Sequence, residues 1–176
     1  MLQILEPFGI TSLMALAYNV NFNGYICSLI DAKNDNVYFG LFDNFTNNHI
    51  KVNDYLFKDI NYITEILKKY NKPIFFVGNG SILHKDMLKS ILKEKAIFTD
   101  DNAYNNLTAV SIGMCAFNVY TSNRYTEDEY CLSPTYLRKS SAEREQLWTF
   151  DNIKPLKFIH SNCSLIKNFI TIFLLE

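Results

Sequence analysis

The run Tyr25-Ile-Cys-Ser-Leu-Ile30 is apolar on alternate positions of both parities, and this constrains the fold most. A strand with apolar residues on both faces belongs in a sheet covered on both sides. Asn34-Asp35 follows as a turn signal, and Val37 to Phe42 reads as a second strand returning against the first. A third strand is expected around Ile50 and Val52. Then the period changes. Ile60, Ile63, Leu67 and Tyr70 fall on one helical face, with Asp59 as cap and Pro73 beyond the end. Pro73 to Val77 is a short buried strand that runs into Gly78-Asn79-Gly80. Ser81 is read as the cap of a helix whose core face carries Leu83, Met87, Leu88, Ile91 and Leu92, followed by a strand at 96–98. Leu107, Val110, Met114 and Phe117 predict the core face of a last helix, with Ala109 and Gly113 allowing close packing. Upstream, Thr11 or Ser12 caps a helix with Leu13, Leu16 and Ala17 inside. The order is β-β-β-α-β-α with a closing helix, a mixed sheet covered by helices.

A chain of 176 residues with 48% apolar residues suits one globular domain. Net charge is −1, from 17 basic and 18 acidic residues, with no long run of either sign. Binding a phosphate backbone needs a stripe of Lys and Arg, so strong independent binding to nucleic acid is not expected. Cys27, Cys115, Cys131 and Cys163 form no Cys-x-x-Cys pair, which fits a reduced cytoplasmic interior. The start lacks a basic segment before Pro7, and the apolar run at 169–175 is far shorter than the ~18 residues that span a bilayer. A soluble cytoplasmic protein that does not engage membranes is the expectation.

Three segments carry a resemblance. They are Pro7-Phe-Gly9-Ile-Thr-Ser12-Leu-Met-Ala-Leu16-Ala17, Ser28-Leu-Ile-Asp31-Ala-Lys-Asn-Asp-Asn-Val37-Tyr38, and Pro134-Thr-Tyr-Leu-Arg138-Lys-Ser-Ser-Ala-Glu143-Arg144-Glu145. In this order and spacing they resemble the TsaB family, which takes part in threonylcarbamoyladenosine synthesis on transfer RNA. The resemblance implies a ribonuclease-H-like lobe of the actin-like ATPase superfamily. It covers about Pro7 to Glu145, corresponding to the family's second lobe, with the first lobe missing. The domain reading that goes with it is an inter-lobe helix segment over 1–23, the lobe over 24–145, and an apolar tail over 146–176. That tail is expected to cover apolar surface or to mediate self-association as a homodimer.

The resemblance implies a non-catalytic scaffold that pairs with the catalytic paralogue TsaD and works with the ATPase TsaE. Catalytic relatives hold a metal with two histidines four residues apart on a helix. Here the matching positions are Ser12 and Leu16, so no metal and no catalytic residue are expected. His49 in an Asn-rich loop, His84 turned away from the core face and His160 in the tail are read as solvated or structural rather than as bases. Gly78 and Gly80 after a strand are the phosphate-loop candidate, together with Asp31 at the first hairpin. The same glycines also serve any tight strand-to-helix turn. At most a weak ATP or ADP contact is expected, with no cofactor required. Asp35 and Asp43 are assigned to a turn and a strand end rather than to paired catalytic carboxylates. Tyr136, Arg138 and Arg144 are candidate partner-binding residues. The alternative in the same segment is a short edge strand over 135–137 and a capping box at Ser140 to Glu143. Two further readings compete with the scaffold: a degenerate nucleotide-binding or hydrolase-like domain, and an inactive truncated remnant.

Overall fold

The computed structural model describes residues 9–46, 48–99, 101–122, 134 and 136–138, all within the unit Met1–Arg138. The expected tail over 146–176, the capping box at Ser140 to Glu143, Arg144 and His160 lie outside the described residues.

The first helix, α1 (Ser12–Ala17), is capped by Thr11, whose side chain accepts the Met14 amide. Strands β1 (Tyr25–Asp31) and β2 (Asn36–Asp43) pair antiparallel in the register Tyr25↔Asp43 to Asp31↔Val37. Their turn holds Lys33, Asn34 and Asp35 at positive φ (66°, 52° and 57°). The Asp35 carbonyl accepts the amide of Ile60, which fixes the turn against the next helix. Asp35 therefore belongs to a turn. Asp43 ends β2, with Oδ1 accepting the Phe45 amide at 3.0 Å.

The expected third strand is two short ones. β3 (Ile50–Lys51) pairs with the far end of β2, and β4 (Leu56–Asp59) pairs with its beginning. Asn53 and Asp54, poor strand formers, fall between them. Tyr55 then lays its ring against Gly40, where an added Cβ would sit 3.1 Å from Cδ1. The Tyr55 hydroxyl accepts from Thr11 Oγ1 at 2.9 Å, which ties this break to the start of α1.

Helix α2 (Ile60–Lys68) is capped by Asp59, which accepts the Tyr62 amide. Strand β5 (Ile74–Val77) runs parallel to β1. The helix expected to start at Ser81 instead starts at Asn79 and is interrupted. α3 (Asn79–Leu83) and α4 (Lys85–Leu92) meet at His84, whose φ of −104° and ψ of 15° break the helical path. The break changes which side faces inward. Leu83 is 63% exposed, whereas His84, expected to point away from the core, is buried. Strand β6 (Ala96–Ile97) then adds parallel to β5. The sheet order is β3-β2-β1-β5-β6, with β4 also on β2.

Both faces of this mixed sheet are covered, as Tyr25 to Ile30 required. On one face, Cys27, Leu29, Phe39, Leu41, Ile74 and Phe76 pack with Ile60, Ile63 and Leu67 of α2 and Leu88 and Leu92 of α4. On the other, Ile26, Phe42 and Val77 pack with Leu13, Leu16 and Ala17 of α1. Each buried Val, Leu, Ile or Phe among them contributes roughly 1.5–3 kcal/mol.

The last described helix, α5 (Ala109–Thr121), packs on α1 in a phase opposite to expectation. Ser111, Cys115 and Val119 are its buried residues, with Cys115 and Val119 against Tyr18. Leu107, Val110, Met114 and Phe117, expected in the core, are 45%, 71%, 56% and 70% exposed. Gly113 has open space around it rather than a neighbour. Two anchors set this phase. Thr108 and Ser111 form a capping box, and the Tyr18 hydroxyl donates to Asn118 Oδ1 at 2.9 Å. No described helix is long and apolar enough to cross a membrane.

Candidate functional site

The C-terminal ends of β1 and β5 lie side by side, and this brings the predicted residues Asp31, Gly78 and Gly80 together. Gly78 has φ +96°, and a Cβ there would collide with the Leu29 carbonyl oxygen. A Cβ on Gly80 would lie 3.1 Å from the Asp31 nitrogen. The close approach of the turn to the end of β1 thus demands glycine at position 78 and leaves little room for a side chain at Gly80.

Several polar groups of this turn are paired inside the chain. The Gly78 amide donates to Asn105 Oδ1 at 3.0 Å, and the Asp31 amide donates to Asn79 Oδ1 at 3.0 Å. Ser81 Oγ donates to the Gly78 carbonyl at 2.6 Å. The Asp31 carboxylate accepts the Lys33 ammonium at 2.8 Å and the Lys33 amide at 2.9 Å. The Lys33 hydrogen bonds, with the ammonium charge beside them, hold its pKa below the ordinary carboxylate value. A phosphate at this turn would face that carboxylate. The adjoining recess is about 100 Å³, lined by Phe76, Ser81, Lys85, Phe98 and Asn105 among others. Small-molecule pockets usually measure ~300–1,000 Å³.

The positions that match the metal-binding helix of the catalytic relatives diverge in environment. Ser12 is exposed, whereas Leu16 is buried against the sheet and the Gly78 turn. Among the described residues no three His, Cys, Asp or Glu side chains come together as metal ligands.

Of the candidate partner residues, Tyr136 is 84% exposed and can meet another molecule. Arg138 is engaged at home. Its guanidinium lies 5.2 Å from the Phe57 ring centre and donates at 3.5 Å to the Ala32 carbonyl, so it braces the β1–β2 turn. Tyr136 and Leu137 lie outside any strand, unlike the expected edge strand at 135–137.

His49 also differs from its expected place in a polar loop. It is 7% exposed, stacked on Tyr18 at 4.0 Å, with Nε2 3.3 Å from the Val20 carbonyl. Fully buried Asn44 turns the loop inward: its Oδ1 accepts the His49 amide and its Nδ2 donates to the Phe22 carbonyl. Burial pushes the His49 pKa down. With Tyr18, Val20, Asn21, Met114, Phe117 and Asn118, His49 lines an apolar hollow of about 270 Å³ beside α5. The hollow opens onto the outer face of α5, where Val110, Met114 and Phe117 recur at i, i+4 and i+7. Reading the sequence for a core face missed this surface. One signal was present: residues 109–121 contain no charged side chain, so nothing marks one side of the helix as the solvent side.

No protein-family model matches the chain. Over 140 residues it is 29% identical to the tRNA threonylcarbamoyladenosine biosynthesis protein TsaB of Bacillus subtilis (strain 168), covering 77% of this chain and 57% of that protein. Its fold is similar to the crystal structure of an uncharacterized protein with similarity to peptidase YEAZ from Pseudomonas aeruginosa. That likeness has a TM-score of 0.51 at 18% identity and covers 72% of this chain and 55% of the other. The chain thus spans a little over half the length of each of these two proteins. Over that span its sequence is similar to TsaB, and its fold is similar to that of the YEAZ-like protein.

Proposed function

We propose that this chain acts in the biosynthesis of threonylcarbamoyladenosine on transfer RNA as a non-catalytic scaffold. It would pair with a TsaD-like catalytic paralogue and work with a TsaE-like ATPase. The observation that carries this reading is the 140-residue likeness to TsaB. The sheet order β3-β2-β1-β5-β6 supports the finer assignment to a ribonuclease-H-like lobe. The scaffold role is supported by α5, whose outer face offers Val110, Met114 and Phe117 without a charge nearby on the helix. Contiguous exposed apolar patches larger than a few hundred Å² commonly mark protein interaction sites. The turn at Gly78 to Gly80 favours a structural over a nucleotide-binding role, because the Gly78 amide and the Asp31 amide and carboxylate already have partners within the chain.

The test is restoration of threonylcarbamoyladenosine in cells depleted of their own TsaB, read by mass spectrometry of digested transfer RNA. Restoration by this chain alone is the expected result. Restoration only when the remaining part of a TsaB protein is supplied separately would make it half of a scaffold. Failure in both arms from a folded, soluble chain would overturn the reading.

A further inference from the structure

The overall charge of −1 conceals a strong separation. Residues 68–95 hold seven lysines (68, 69, 72, 85, 89, 93 and 95) against two carboxylates, Asp86 and Glu94, a net of +5. The other residues of the chain therefore carry −6, since the whole is −1. The fold brings these lysines together. α2 and α4 pack against each other on one face of the sheet, and both end where β5 and β6 begin, with Ile74 opposite Ala96.

At that corner the Lys95 ammonium donates to the Tyr70 carbonyl at 3.2 Å and lies 3.4 Å from Asn71 Oδ1, bridging the two helix ends. Lys72 lies over the Phe45 ring at 3.9 Å. Lys85, Lys89 and Lys93 follow at four-residue intervals along α4 and its cap, a stripe roughly 12 Å long at 1.5 Å per residue. Lys69, Lys72, Lys89 and Lys93 are exposed, and among the described residues neither they nor Lys95 meet a carboxylate. Helix C-termini favour a nearby cation, which accounts for one lysine at each end but not for a stripe that turns a corner. Such an extended row suits a repeating anion rather than a single phosphate.

We propose that Lys69, Lys72, Lys89, Lys93 and Lys95 form a docking surface for the sugar–phosphate backbone of an RNA. The choice of RNA over an acidic protein or an anionic membrane rests on the proposed function, in which transfer RNA is the molecule modified. With a net charge of −1 overall, the contact is weak alone and strongly salt-dependent.

The experiment is fluorescence anisotropy of a labelled transfer RNA transcript titrated with the full chain at about 50 and about 200 mM salt. A triple variant, Lys69→Glu, Lys72→Glu and Lys93→Glu, is compared with Lys33→Glu, Lys51→Glu and Lys58→Glu, which changes net charge equally elsewhere. Circular dichroism confirms that both fold. Affinity should fall with salt, and the corner triple should bind about tenfold more weakly or worse while the other stays within about threefold of the unsubstituted chain. Equal losses in both triples, no RNA binding at the lower salt, or preference for phosphatidylserine vesicles would overturn the proposal. If RNA binding fails while the chain still restores threonylcarbamoyladenosine in cells, only the docking surface falls. Failure of both removes the functional reading as well.

Discussion

Helices α2 and α5 cover opposite sides of the molecule and follow different rules. In α2, Ile60, Ile63 and Leu67 are buried, while Glu65 and Lys68 pair at 2.6 Å on the outside. Charge on one side leaves only one way in. In α5 the residues at 109–121 are uncharged, and the small residues Ser111 and Cys115 go inward while Phe117 stays out. Here the capping box and the Tyr18–Asn118 bond select the phase, and hydrophobicity does not. An apolar helix tells its packing face only when something on it is excluded from the core.

The largest expected effects follow from that contrast. Leu67→Ala should cost about 3 kcal/mol in urea unfolding, because α2 leaves a cavity against the sheet. Phe117→Ala, though it removes a larger side chain, should stay within about 0.5 kcal/mol. A comparable loss from Phe117→Ala would mean that its outer position is wrong.

The glycines sharpen the same comparison. Gly78→Ala should cost about 2 kcal/mol or more, since it forces a Cβ into positive φ and onto the Leu29 carbonyl. Gly113→Ala, in open space on an exposed helix face, should stabilise by about 0.5–1 kcal/mol. Thermal melts of the two variants should shift in opposite directions. Removing the cap of α2 by Asp59→Ala should cost about 1 kcal/mol.

The smallest effect concerns the hollow beside α5. His49 has a pKa below that of an unfolded histidine, about 6.5. Between those two values the unfolded chain binds the extra proton, so stability falls as pH drops from about 6.5 toward the lower folded value. His49→Asn, which tolerates the positive φ of 46°, should flatten that part of the stability–pH curve. An unchanged slope in urea titrations across it would place the proton elsewhere.

The sheet was legible because its strands are apolar on both faces, and α2 because Asp59 and its charged side define it. The break at His84 was not, because no Gly or Pro marks it and Lys85 to Leu92 continues with good helix formers. The division of the third strand depends on Tyr55 finding Gly40 and Thr11, contacts distant in sequence. At the candidate site, the glycines and Asp31 were readable as residues. Their role was not, since it depends on Asn105 and Leu29 reaching the same turn. The lysine stripe escaped notice because its members come from two helix ends that only the fold unites.

The scaffold reading stands or falls on whether α5 meets another protein. Co-purification of the full chain with a TsaD-like catalytic paralogue tests it, with Met114→Asp/Phe117→Asp as the variant and urea unfolding as the check on folding. The account predicts a complex with the unsubstituted chain and its loss in the doubly substituted one at unchanged stability. A complex that survives both aspartates, or none with the unsubstituted chain, would contradict it.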